Sequence, residues 1–268
     1  MRIEQLGEGT PEVAVVAGIH GDEPCGPKAV DRLLLEDPDV ERAVKVVVVN
    51  ERALERGVRY VNEDLNRVFP GDPNAETYER RLAHDLVSEL RDCTVLSLHS
   101  TQSYARPFAL VDRVNAVARS ICPYLPVSQL VETDKFTKGK LISHPHTLEV
   151  ECGLQGSPEA VDNAYDLVRG FLAGTGALPL PEGKNPVDAG EQDEVEVFRM
   201  DQPVRKNGGT EFEVLVENFQ RVERGEPFAT ADGDELVAEN PFVPVLMSAY
   251  GYEDIFGYTA EYIGVLGN

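Results

Sequence analysis

VAVVAGIHGDEPCG (13–26) decides the fold. An apolar, β-branched run ends in Gly-Ile-His20, turn residues Gly21 and Asp22 follow, and a helix is expected to begin near Pro24, so the stretch reads as strand, loop, helix. Similar short runs follow at KVVVVN (45–50), TVLSLH (94–99), PFALVD (107–112) and HTLEVEC (146–152). Between them, 75–91 places Tyr78, Leu82, Ala83, Leu86, Val87 and Leu90 at helical spacing, and 158–172 does the same with Ala160, Ala164, Leu167, Val168 and Phe171. Strands alternating with helices predict an α/β domain over 1–175, with a mostly parallel or mixed sheet covered on both faces. The aperiodic Gly- and Pro-rich stretch 174–194 predicts a linker at about 176–194. Beyond it, EVEVFRM (194–200), FEVLVENF (212–219) and PFVPVLM (241–247), separated by turns at 207–209 and 232–234, predict a small β-rich domain over 195–268.

The 268 residues suffice for one large domain and a small appendage. No apolar run reaches membrane-spanning length, and MRIEQLGEGT lacks the basic and apolar segments of a signal peptide, so a soluble, cytoplasmic protein is expected. The net charge is −22, and of 25 basic residues only 7 are Lys. That balance disfavours nucleic acid and anionic membranes as partners, and it suits a salt-rich, halophilic solvent. Self-association into a homo-oligomer stays open. The four cysteines form no CxxC pair and read as reduced, buried thiols.

Four signals carry chemistry. His20 and Glu23 stand three residues apart across a sharp turn and are able to point at one metal ion. His99 closes the run TVLSLH, and in open α/β sheets functional groups gather beyond the carboxyl ends of strands, so two such histidines can converge. Two His and one Glu make a catalytic zinc set with a fourth position for water. His84 falls on the polar side of its helix, and His144 and His146 flank Pro145 in an extended approach to a strand. The third signal is RYVNEDLNR (59–67), in which an Arg fork and an Asn amide suit a carboxylate, and Asp64 suits the distal N–H of a metal-bound imidazole. The fourth is Glu149-Val-Glu151-Cys-Gly153: both carboxylates share one strand face, and either would serve as the base beside a metal site.

In this order the signals resemble the succinylglutamate desuccinylase and aspartoacylase family, which shares the three-layer fold of the zinc carboxypeptidases. The resemblance is carried by AGIHGDEPCG (17–26), RYVNEDLNRVFPG (59–71), LHSTQS (98–103) and VECGLQG (150–156), with fainter echoes in RGEPF (224–228) and PVLMSAYGYED (244–254). It implies one zinc per chain on His20, Glu23 and His99, and Glu151 rather than Glu149 as general base. It implies Arg59 as the arginine that polarises the scissile carbonyl, Asn66 and Arg67 as the grip on the substrate's α-carboxylate, and Asp64 as support for the first metal ligand. The family tyrosine that reaches into the site falls on Tyr252, or on Tyr250 if the alignment slips. The family arginine ahead of the E-x-G element has no counterpart, because 135–147 contains no arginine and offers Lys138 and Lys140 instead.

The activity implied is hydrolysis of the amide bond of a small N-acyl amino acid. A metallocarboxypeptidase acting on peptides is the nearest rival, disfavoured because the family's small C-terminal domain narrows access to the site. A metal-free binding protein is disfavoured by the intact set of ligands, base and arginines. Charge alone yields one prediction. The screening length falls from about 10 Å at 0.1 M salt to about 3 Å at 1 M, so the melting temperature should rise between 0.1 and 3 M KCl; a flat or falling curve refutes the halophilic reading.

Overall fold

In the computed structural model, which describes residues 1–179 and 194–267, the run Val13–Ala17 forms strand β2 with every residue buried. It pairs in parallel with β3 (Val44–Val48) on one side and β4 (Thr94–Thr101) on the other, and β4 pairs in parallel with β7 (Thr147–Leu154). Strands hydrogen-bonded on both edges and covered on both faces have little use for polar side chains, which is why these segments read as apolar runs.

The sheet is mixed and ten-stranded. β1 (Arg2–Leu6) lies antiparallel to β3 at one edge. Beyond β7 come β5 (Phe108–Val111), antiparallel to it, then β6 (Gln129–Glu132) and β8 (Glu196–Arg205), each parallel to its predecessor. β13 (Ile255–Val265) and β12 (Val243–Val245) complete it by antiparallel pairing. A separate antiparallel sheet contains β9 (Phe212–Val214), β10 (Pro227–Ala231) and β11 (Asp234–Val237). Asp232 and Gly233, both at positive φ, make the β10–β11 hairpin turn.

Helices α1 (Cys25–Glu36), α4 (Ala116–Ile121) and α5 (Pro158–Gly174) pack on one face over a core containing Val15, Leu96, Val150 and Phe171. α3 (Tyr78–Glu89) packs on the other, with Leu82 and Leu86 against Val16, Val47 and Val95. The three layers expected from the sequence are present.

Some elements depart from the sequence reading. β1, β6 and β13 stand outside the expected strands, and Gly257 and Gly264 interrupt the apolar pattern of β13. Of 212–219 only Phe212–Val214 is strand, because Asn218 turns inward: its amide donates to the Ser103 and Met247 carbonyls and accepts from Met247 N–H. The expected linker lies outside the described residues from 180 to 193. The four cysteines are buried and unbridged.

The loop before α3 is fastened by one side chain. Glu79 is fully buried and accepts Val61 N–H at 2.7 Å, Asn62 N–H at 3.1 Å and the Asn50 amide at 3.3 Å. Asn50 also caps α2 (Glu51–Arg56), so Glu79 ties two elements to the loop that starts at Arg59. Each buried donor stranded without a partner costs about 1–3 kcal/mol, so Glu79→Ala should lower stability by about 2–5 kcal/mol in denaturant melts; a loss below about 1 kcal/mol would mean that the loop holds itself.

Candidate metal centre and active site

β2 ends at Ala17, not at His20. Gly18 at φ +70° leaves the strand, and Gly21 packs so closely on α2 that a Cβ there would sit 2.1 Å from the Ala53 carbonyl carbon. Gly21 N–H donates to the Arg59 carbonyl at 3.2 Å, which joins this turn to the arginine loop. The turn carries His20 and Glu23 back toward the end of β4, where His99 stands in register with Glu151 on β7.

Ligating atoms of His20, Glu23 and His99 all lie within 4.8 Å of one another, and the three residues are buried. His20 Nδ1 lies 2.7 Å from Glu23 Oε1, and His99 Nδ1 lies 3.2 Å from Glu23 Oε2, so both imidazoles turn the same nitrogen to the shared carboxylate. Ser100 N–H donates to Glu23 Oε2 at 3.1 Å. On its far side His20 Nε2 meets Asp64 Oδ1 at 3.0 Å. Arg59 bridges Asp64 and Glu23, with Nε 3.1 Å from Asp64 Oδ2 and a terminal nitrogen 3.3 Å from Glu23 Oε1. Two imidazole nitrogens and one carboxylate that leave a coordination position open fit a divalent ion of the zinc type, and the carboxylate behind His20 fits the usual outer support.

The charges are strongly coupled. Burial alone would raise the Glu23 carboxyl, yet the two imidazoles hold it well below the usual carboxylate range. Burial opposes protonation of His99 as well, but the hydrogen bond and field of Glu23, with Glu149 and Glu151 beyond, push it up to about 9. Glu151 is pushed up to about 7, chiefly by burial and further by Glu23 and Glu149, against the lowering fields of His99 and His20. Its Oε2 is buried and has no hydrogen-bond partner among the described residues. A carboxylate poised near neutrality and free of partners is suited to proton transfer.

All nine candidate site residues except Asp64 line one cavity of about 230 Å³. Asn66 is pinned by its own Oδ1, which accepts Leu141 N–H at 2.8 Å, and this turns its amide NH₂ toward other partners. Arg67 braces on the Asn66 carbonyl at 2.7 Å. Tyr252 is half-buried, and its hydroxyl is held protonated by burial and by the facing Tyr258 and Glu151; Tyr250 also lines the cavity but is 64% exposed. Lys140 lines the cavity, its ammonium pushed down by burial and by Arg67, whereas Lys138 is exposed and does not line it. His84 is exposed on α3 beside Asp85. Three contributors escaped the sequence reading: Glu79 behind the arginine loop, the Ser100 amide, and Ser97, whose Oγ lies 3.2 Å from His99 Nε2. Period-2 spacing marks Ser97 as a face-mate of His99, and that signal was readable.

Residues 9–125 match the succinylglutamate desuccinylase/aspartoacylase catalytic domain. The match covers a little under half of the chain. Mouse (Mus musculus) aspartoacylase is 36% identical over 83 residues, 30% of this chain and only a quarter of the mouse protein's length. Danio rerio aspartoacylase is 25% identical over 280 residues, covering 90% of this chain and 87% of its own. The solved succinylglutamate desuccinylase/aspartoacylase from Rhodobacter sphaeroides shares the fold, with a TM-score of 0.76 at 20% identity over 97% of this chain and 89% of that one. The matched segment contains His20, Glu23, Arg59, Asp64, Asn66, Arg67 and His99, while Glu151 and Tyr252 lie beyond it.

The donor set predicts one divalent ion per chain, and binding it at neutral pH should expel the proton carried by His99. His20→Ala should abolish stoichiometric metal uptake in equilibrium dialysis. Uptake by that variant with parental stoichiometry and affinity would place the ion elsewhere.

Proposed function

We propose that the protein is a zinc-dependent amidohydrolase that cleaves the amide bond of a small N-acyl amino acid. The reading rests on one observation: His20, Glu23 and His99 converge beside a half-buried Glu151, whose buried Oε2 has no hydrogen-bond partner among the described residues, in a cavity that also presents Arg59, Asn66 and Arg67. The match to the aspartoacylase catalytic domain supports it. Zinc held by the three ligands supplies a Lewis acid for the attacking water and the scissile carbonyl.

The chain's own residues supply the rest. Glu151 takes the proton of the attacking water and afterwards delivers it to the departing amine. Arg59, held in place by Asp64 and Glu23, directs its guanidinium at the carbonyl oxygen as negative charge develops there. Asn66 and Arg67 hold the α-carboxylate by amide and guanidinium hydrogen bonds. Tyr252 lines the cavity from the C-terminal residues, and its hydroxyl, held protonated, donates a hydrogen bond to the bound substrate. The products are a short carboxylate and a free amino acid. Peptide hydrolysis by the rival metallocarboxypeptidase is disfavoured by the narrow cavity, which Leu246, Ser248 and Tyr252 help enclose.

A screen of N-acetyl, N-succinyl and N-formyl amino acids against short peptides, run in molar KCl, tests the class; preference for peptides transfers the protein to the carboxypeptidases. Glu151→Gln should keep zinc while kcat falls by about 10²–10⁴. Near-normal turnover in that variant reassigns the base.

A further inference from the structure

The proposed chemistry leaves two carboxylates of the cavity unused, Asp22 on the turn after His20 and Glu149 on β7, and Glu149 is the one beside His99. It lies two residues before Glu151 on the same face of β7, with its side chain 8% exposed, and its Oε1 is buried with no hydrogen-bond partner among the described residues. An unpaired carboxylate in such a place is costly, so a partner supplied by the working site is expected. The nearest basic nitrogen is Nε2 of His99, 3.9 Å from Glu149 Oε1. Between the two elements stands Ser97, fully buried on β4, in register with Glu149 across the β4–β7 ladder and with its Oγ 3.2 Å from the same Nε2.

The tautomer of His99 makes this placement meaningful. Nδ1 of His99 faces Glu23 and the metal position, so an imidazole ligating through Nδ1 must carry its proton on Nε2. That N–H points at Ser97 and Glu149. The arrangement parallels the other imidazole, where His20 Nδ1 faces Glu23 and Nε2 meets Asp64. Each histidine of the centre therefore has a carboxylate behind it, one from the arginine loop and one from the sheet.

We propose that Glu149, with Ser97, is the outer support of His99: the Ser97 hydroxyl and the Glu149 carboxylate receive Nε2–H, hold the ring in the orientation that turns Nδ1 to the metal, and raise its affinity for zinc. Glu149 is a positioning residue, distinct from the proton-transferring Glu151. The proposal rests on the metal centre assigned above and is independent of which acyl amino acid is cleaved.

Zinc affinity, measured by chelator competition on the full chain in molar KCl, is the first readout. Glu149→Gln and Ser97→Ala should each weaken zinc by about 10–100-fold, the range typical of lost outer-shell partners. The visible spectrum of the cobalt(II)-loaded protein should shift in both. The metal-free melting temperature is the second readout: Glu149→Leu should leave it unchanged or raise it, because an apolar side chain replaces a buried carboxylate oxygen that has no hydrogen-bond partner among the described residues. Parental zinc affinity in both Glu149→Gln and Ser97→Ala overturns the proposal, and if KM rises at the same time the carboxylate reads a substrate group instead. A large fall in the metal-free melting temperature of Glu149→Gln with zinc affinity intact also overturns it, in favour of a structural role. Absence of zinc binding by the parent protein overturns the metal centre itself, a failure distinct from the others.

Discussion

Parallel pairing in one register governs the rest of the molecule. β2, β4 and β7 run side by side in the same direction, with Ala17 opposite Leu98 and His99 opposite Glu151. Adjacent strands lie about 4.8 Å apart, so whatever follows β2 or closes β4 and β7 meets in a space a few ångströms across. The glycine turn after Ala17 adds only the reversal that brings His20 and Glu23 over that space. A one-residue slip between β4 and β7 would send Glu151 to the opposite face, among the leucines under α5. The layers of helix on both faces keep such a slip from occurring, because each strand buries both of its sides.

The centre then concentrates opposite charges beyond what the surface does. Glu23, Asp64, Glu149 and Glu151 are set against His20, His99 and Arg59, mostly out of water. In the metal-free protein the imidazoles answer by holding protons, which explains why His99 is pushed so far above an ordinary histidine. Arg67 and Lys140 make the cavity wall locally cationic in a chain of net charge −22. These cations stand out against an acidic surface, and dense salt screens the exposed charges more than those inside the cavity.

Much of this was legible in the sequence because the central strands are buried on both faces and therefore announce themselves as apolar runs. The order of His20, Arg59, His99 and Glu151 could be read with them. The strands that escaped notice offer short or interrupted patterns: β6 is buried throughout but only four residues long, and β13 is unevenly buried and broken by glycine. Ser97 and Glu149 were visible as face-mates of His99 and Glu151, but their importance depends on which ring nitrogen faces the metal, and a tautomer is not written in spacing. The choice between Lys138 and Lys140 depended on the backbone path after the three-residue turn Asp134–Phe136, which periodicity does not describe. Glu79 lay within a helix pattern as one more charged residue; only its three donors mark it as a clamp.

The step from β6 to β8 crosses from the first 175 residues to the last 75 within one hydrogen-bonded ladder, with Gln129 opposite Glu196 and Glu132 opposite Arg199. Arg199 reinforces the join by donating to Glu132 at 2.7 Å. The C-terminal strands are thus continuous with the platform that bears the metal ligands, and they cannot swing away from it as a hinged lid without tearing the sheet. Any widening of the cavity that spares this ladder falls instead to the short segment around Leu246–Tyr252, which lines the cavity and is tied by the Asn218 amide through both the N–H and the carbonyl of Met247.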